Sequence, residues 1–136
     1  MKKIYILKLL NNKYYVGITS NLDRRICEHF DGKGASWTKI NKPIKVIETH
    51  DYISKFDEDI YTKMYMDTYG IDNVRGGAYV KVNLDNIQKT SITRELWHCN
   101  GLCMICGKYG HFTKDCSFSK SSFSKRTTKP LDVEKD

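Results

Sequence analysis

The sequence predicts an α+β fold: a small three-stranded sheet, antiparallel or mixed, flanked by helices, with a small cysteine-rich module following it. Three observations point there. Two strand-like runs, KIYILKLL and KYYVGIT, are separated by an asparagine-containing turn. Helical periodicity follows in SNLDRRICEHF and again from Asp57. Four of the five cysteines fall after residue 98, together with a histidine. An order of strand, strand, helix, strand, helix folds most simply as helices packed on a small sheet.

The first two runs read as a β-hairpin. In the next segment Ser20, with Asp23 three residues on, resembles a capping box. Leu22, Ile26 and Phe30 then recur at four-residue spacing and form the expected buried stripe. At 100° per residue, Arg25 and His29 lie together at the margin of that stripe, whereas Arg24 points to the far side. Cys27 reads as a small core residue. IKVIET at residues 44–49 alternates as a third strand. A helix from about Asp57 to Tyr69 carries Ile60, Met64 and Asp67 on one line, and Gly70 ends it. Residues 83–98 read as a polar helical connector. From Ser117 the chain is rich in Ser, Lys and Thr, and residues 117–136 are expected to form a disordered basic tail, since they lack apolar surface to offset ordering entropy.

Composition narrows the function classes. The chain has 136 residues, 40% of them hydrophobic and 29% charged, which gives room for one ordinary domain and a small attachment. No stretch approaches the roughly 18 apolar residues of a spanning helix, so no membrane partner is expected. Lys2 and Lys3 before Ile4–Leu10 imitate a signal peptide, but Lys8 interrupts the apolar run and Asn11, Asn12 and Lys13 follow it instead of a cleavage site. The expected location is intracellular (nucleus, cytoplasm or a viral replication compartment), not secreted. Basic residues outnumber acidic ones by 23 to 16, a net charge of +7 that favours a polyanionic partner. An odd cysteine count clustered at one end argues against a disulfide scaffold and for a metal site.

The hairpin carries Ile4-Tyr5 and Tyr15-Val16-Gly17, with Arg25 and His29 following within one helix. In this order and spacing they resemble the GIY-YIG nuclease superfamily across residues 3 to about 80, and residues 1–82 are assigned as that domain. YGIDNVRGG at 69–77 resembles a subgroup found in large DNA viruses and microbial eukaryotes. Lys3 stands where the family name has glycine. The resemblance implies a three-stranded sheet flanked by helices and metal-dependent phosphodiester hydrolysis. It also requires Tyr5 and Tyr15 on one face of the sheet. A two-residue Asn11-Asn12 turn would pair Leu10 with Lys13 and separate them, because side chains alternate. A three-residue loop or a bulge is therefore predicted.

Phosphodiester cleavage needs a deprotonated water, charge balance at phosphorus and stabilisation of the leaving oxygen, and a divalent cation supplies at least one of these. Mg²⁺ (or Mn²⁺) prefers carboxylate oxygen. By resemblance the metal-binding glutamate lies on the helix after the third strand, where FDEDI offers Glu58, with Asp57 and Asp59 as alternatives beside it. Arg25, by resemblance the catalytic arginine, clamps the phosphate with its planar fork. Tyr5 and Tyr15 position or deprotonate the water, and which of them is the base stays open. His29 assists proton transfer or touches phosphate, and Asn73, matching the asparagine after that helix, orients the site. Tyr14, Tyr65 and Tyr69 read as core or surface aromatics rather than catalytic ones. Arg75 with Gly76-Gly77 forms either a phosphate-facing turn or a plain tight turn.

The second motif is Cys103-x2-Cys106-x4-His111-x4-Cys116, the spacing of a CCHC zinc knuckle over residues 99–116. Three thiolates and one imidazole complete a tetrahedral Zn²⁺ and leave no open position, which marks a structural site. So short a module folds only with its metal. Such knuckles resemble those that grip single-stranded nucleic acid, a base stacking on an aromatic ring while lysines hold phosphate. Lys108, Tyr109, Phe112 and Lys114 are the candidates, although Met104 stands where many knuckles have an aromatic. Cys99 is a spare thiol. The combined expectation is a metal-dependent endonuclease with a zinc knuckle for nucleic acid, DNA ahead of RNA. The alternative is a catalytically silent scaffold that only binds.

Overall fold

The computed structural model describes residues 1–111 and 113–116; Phe112 and the tail 117–136 lie outside them. Two compact units are present, Met1–Asn86 and a second one beginning at Ile87.

The first unit is built on a mixed sheet in the order β3-β1-β2-β4. Strand β1 (Lys3–Leu9) pairs antiparallel with β2 (Lys13–Thr19), Leu9 opposite Lys13 and Tyr5 opposite Gly17. The connection is thus three residues, Leu10–Asn12, as the shared-face requirement predicts. Asn11 (φ 65°) and Asn12 (φ 58°) both occupy the left-handed region, which asparagine tolerates better than other residues with a Cβ. Strand β3 (Pro43–Asp51) lies antiparallel to β1, with register shifts after Ile6 and Lys8. Beyond the three expected strands there is a fourth, β4 (Val74–Gly76), parallel to β2. The expected three-stranded sheet is extended at one edge by a strand too short to show alternation in the sequence.

Both faces of the sheet are covered. Ile4, Ile6 and Val16 pack with Ile47, Tyr52, Tyr61 and Tyr65, two of them from α3 (Asp57–Tyr69). Tyr5, Leu7, Leu9 and Tyr15 pack with Trp37, Leu22, Ala35, Val46 and Val82. The bounds of α3 match the expectation, but its orientation does not. Glu58, Thr62 and Met66 share one side, and Thr62 and Met66 are fully buried, whereas Ile60 and Met64 are about half exposed. The half-buried Tyr61 and Tyr65 set the inward arc of this helix, and Ile60 lies about 200° from Thr62 around it.

Helix α1 (Leu22–Phe30) also differs in detail. Its cap is Asn21, whose side chain accepts from the Arg24 N–H at 3.1 Å, one residue after the expected Ser20. Leu22 and Ile26 face inward, but the third position is taken by His29, which is 0% exposed, and not by Phe30, which is 48% exposed. Seven residues complete two helical turns more closely than eight, so the fully buried slot falls on His29. Cys27 is exposed rather than in the core, about 200° from His29.

Helix α2 (Ser36–Ile40) has no counterpart in the sequence reading; it buries Trp37 and Thr38. Trp37 donates its indole N–H to the Tyr14 carbonyl at 2.9 Å, and the Arg75 guanidinium lies 4.6 Å above its ring centre. Arg75 is 2% exposed and donates to the carbonyls of Ile71, Val74, Lys81 and Val82 at 2.7–3.0 Å. The phosphate-facing alternative is therefore excluded: this guanidinium ties β4 to the segment that follows it.

Among the described residues no helix is long and apolar enough to cross a membrane. Because Arg75→Ala leaves several buried carbonyls without a donor, it should destabilise the domain by on the order of 3 kcal/mol, measured by urea unfolding. A loss of nucleic acid affinity at unchanged stability would refute the structural role.

Candidate functional site

On the face of the sheet that carries Trp37, Tyr5 of β1 and Tyr15 of β2 lie with ring centres 6.2 Å apart, and His29 of α1 sits 5.5 Å and 5.1 Å from the two rings. The space for this cluster is made by two glycines. A Cβ at Gly17 would stand 2.3 Å from the Tyr5 hydroxyl oxygen, and one at Gly34 only 2.2 Å from His29 Nδ1. Any side chain at either position would have to push the rings apart.

The hydrogen bonds fix the tautomer of His29. Thr38 donates its hydroxyl proton to the Ala35 carbonyl at 2.9 Å, so toward His29 Nδ1, also at 2.9 Å, it is an acceptor. Nδ1 therefore carries the ring proton. Nε2 is then bare and accepts from the Tyr5 O–H at 2.7 Å. Burial, reinforced by the Arg25 charge and opposed by Glu28, pulls the His29 pKa down to about 4, so the imidazole is neutral near neutral pH. The result is a directed chain from Tyr5 through His29 and Thr38 to Ala35.

Burial, then the neighbouring Tyr15, holds the Tyr5 hydroxyl well above the ordinary phenol range, with Arg25 opposing. Burial raises Tyr15 likewise; Arg25 opposes and Glu58 adds to it. Arg25 is partly buried and donates to Glu28 at 2.9 Å. Burial disfavours its charge, but Glu28 and Tyr5 outweigh that and hold the guanidinium above its usual pKa. Arg24 points outward, its side chain 71% exposed.

The three acidic residues at the start of α3 separate by partner. Asp57 accepts from the N–H groups of Ile53 and Ser54 at 2.8 Å, closing the turn before the helix. Asp59 accepts from the Ala78 N–H at 2.9 Å. Glu58 is half-buried, and its charge reaches both tyrosines. Burial, then Asp59, raises its pKa, with the Gly77 N–H and Lys2 opposing. A carboxylate so placed gains from a nearby cation, and one carboxylate with substrate phosphate is a usual Mg²⁺ donor set, so the residues present fit that ion.

Of the residues expected in the site, Tyr5, Tyr15, Arg25, His29 and Glu58 come together. Asn73 is not among the groups that interact with them. It accepts from Lys13 Nζ at 2.6 Å and donates to the Tyr69 carbonyl at 2.7 Å, pinning the turn after α3 to the start of β2. Thr38 and Gly34 were not legible beforehand, since a short, non-periodic helix gives no pattern and the bond they serve spans unrelated positions. Trp37, a lone aromatic in a polar stretch, was the only local signal of burial there.

In the second unit, Cys103, Cys106, His111 and Cys116 place their ligand atoms within 4.8 Å of one another. The Cys106 sulfur lies 3.6 Å from His111 Nε2. The Ile105 N–H donates to the Cys103 sulfur at 3.3 Å. Burial opposes ionisation of Cys103, but N–H groups of Cys106 and Ile105 with the neighbouring thiols overcome it and bring the pKa to about 6. Cys103 is thereby held ready to ligate, and the Cys₃His set fits Zn²⁺. Lys108, Tyr109 and Lys114 are exposed, while Phe112 lies outside the described residues.

One stability test follows from His29. Its native pKa is near 4 and its unfolded value about 6.5, so between these values the unfolded chain binds more protons. Stability falls as pH drops through that window, by on the order of 3 kcal/mol in full, and is fully present above it. Urea unfolding at pH 7 and pH 5 should show about 2 kcal/mol of this loss, and His29→Gln should reduce it. An unchanged pH dependence in the variant would mean that His29 is not held neutral.

Residues 1–70 match the family described as the GIY-YIG catalytic domain. Among curated relatives, a UPF0213 protein of Xanthomonas campestris pv. campestris (strain 8004) is 43% identical over 49 residues, covering 36% of this chain and 48% of the relative. The UPF0213 protein YazA of Bacillus subtilis (strain 168) is 37% identical over 51 residues, 38% of this chain and 52% of that protein. The chain spans about half the length of these relatives. No solved structure matches. With a matched catalytic domain that covers the hairpin, α1 and α3, this chain belongs to the GIY-YIG family.

Proposed function

We propose that the chain is a metal-dependent endonuclease that hydrolyses phosphodiester bonds in nucleic acid, DNA ahead of RNA. In this reading residues 1–82 form the nuclease module, 83–98 a helical connector and 99–116 a zinc knuckle that holds the substrate. The viral and microbial-eukaryote subgroup suggested by YGIDNVRGG belongs to the same reading. One observation carries it: the Tyr5, His29, Thr38 hydrogen-bond chain, with Arg25 and Glu58 beside it.

A tyrosine with a raised pKa is a poor base if it must first ionise. Tyr5 does not need to. It takes a proton from the attacking water while its own passes to His29 Nε2, the bare nitrogen already 2.7 Å away. The Nδ1 proton stays on the ring and is donated to Thr38 Oγ1 throughout, so the imidazolium that forms is oriented as it forms. Arg25 lays its guanidinium on the phosphate and offsets the charge that develops there. Tyr15 packs against His29 and holds the imidazole against Tyr5. Glu58 would hold Mg²⁺ or Mn²⁺, which when bound supplies Lewis-acid charge at phosphate oxygen.

The test is incubation with flap, hairpin, duplex and single-stranded substrates in the presence of Mg²⁺ or Mn²⁺. Arg25→Ala and Glu58→Ala should each abolish cleavage with the fold intact by circular dichroism, and Arg24→Ala should cut normally. His29→Gln should lower kcat by roughly 10²-fold or more, at nearly constant KM. Binding without cleavage under every metal condition would leave the silent scaffold instead, and a dead Arg24→Ala would overturn the assignment of Arg25.

A further inference from the structure

Within the second unit, α4 (Asn86–Cys99) and the metal-ligand loop enclose a groove of about 260 Å³ lined by Lys89, Thr90, Thr93, Arg94, Trp97 and Ile105. Its lining contains two basic residues and no carboxylate. The indole of Trp97 lies against Gly107. That glycine has φ +75°, and a Cβ there would stand 2.6 Å from the ring, so no other residue admits the tryptophan at this position. The Leu102 N–H donates to the Trp97 carbonyl at 2.7 Å, joining the helix end to the loop. Ile105 also lines the groove, and its own N–H is bonded to the Cys103 sulfur.

We propose that this groove seats one unstacked base of a single-stranded nucleic acid against Trp97 and Ile105, with Lys89 and Arg94 on the flanking phosphates. The proposal rests on the nucleic acid reading above and moves the base-binding aromatic from the knuckle to the helix before it. The volume is below the roughly 300–1,000 Å³ of clefts that enclose a whole drug-sized ligand, so the groove takes a single ring and leaves the backbone outside. A cationic rim with an aromatic floor is complementary to a base joined to phosphate; a basic peptide is repelled by the rim, and an acidic peptide matches the rim but offers no flat ring for the floor. Met104 stands where many knuckles have an aromatic, and Trp97 supplies an aromatic surface beside the metal-ligand loop. Because Ile105 lies between two of the metal ligands, the groove depends on the metal-bound loop.

The test uses the full chain loaded with Zn²⁺ and two labelled strands of equal length and charge, oligothymidine and its abasic counterpart, followed by fluorescence anisotropy. Trp97→Ala should weaken oligothymidine binding about tenfold, the contribution of one stacked base, and leave the abasic strand unchanged. Arg94→Ala should weaken both equally and lower the slope of log affinity against log salt by about 0.7. Thiolate-to-metal absorption of the Co²⁺-loaded variants shows whether the Cys₃His site is intact. Should Trp97→Ala disturb it, Trp97→Phe retains a ring and should bind within about threefold of the parent, whereas Trp97→Leu should not. Equal loss on both strands, or normal oligothymidine binding by Trp97→Ala and Trp97→Leu, would overturn the base seat while leaving the nuclease reading intact. Equal displacement of oligothymidine by polyphosphate or by an acidic peptide would also overturn it. Failure of the parent chain to bind either strand would overturn both.

Discussion

The register of the β1–β2 hairpin is the constraint on which the first unit depends. Side chains alternate along a strand, so a shift of one residue would send Tyr15 to the face occupied by Ile4 and Ile6. The register is held by a three-residue connection with two consecutive asparagines in the left-handed region. With Leu9 opposite Lys13, Gly17 falls opposite Tyr5, and the missing side chain becomes the space in which the Tyr5 hydroxyl lies. The aromatic pair, the glycine and the room for His29 all follow from that one turn.

Around this pair the surroundings divide the titrating groups into distinct states. Burial raises both tyrosines and lowers His29, so all three are neutral at the same pH. Arg25 remains charged among them through Glu28 and Tyr5. Donor and acceptor joined at 2.7 Å provide a path for a proton while both groups rest neutral. Thr38 contributes by having already given away its proton to Ala35, since a hydroxyl free to rotate would leave the histidine tautomer unspecified.

The second unit relies on a different source of order. Its described residues after α4 form only turns and one short 3₁₀ segment, too little to build a core of their own. In place of a core, three sulfurs and an imidazole converge as a set able to hold a metal ion. The same loop turns at Gly107 to meet Trp97, so ligand geometry and the shape of the groove are consequences of one backbone path.

Much of this was legible in residue order alone. The two hairpin strands, the third strand, the ends of α3 at Asp57 and Gly70 and the Cys/His spacing depend on neighbours a few positions apart, and short-range periodicity, caps and ligand spacing record such relations directly. What lies on each helix face was less legible. Ile60 and Met64 suggested the inward side of α3, but Tyr61, Thr62, Tyr65 and Met66 occupy it. Phe30 gave way to His29, and Arg75 left the surface for four carbonyls and the Trp37 ring. The separation of Glu58 from Asp57 and Asp59, the bond of Asn73 to Lys13, and the roles of Thr38 and Gly34 rest on partners as far as 60 residues away in the chain. Sequence by itself determined the elements, because each is stabilised mainly by its own local pattern. Only the tertiary structure decided protonation, burial and partner choice, because those depend on which distant backbone groups and charges fill the space around a side chain once water has left it.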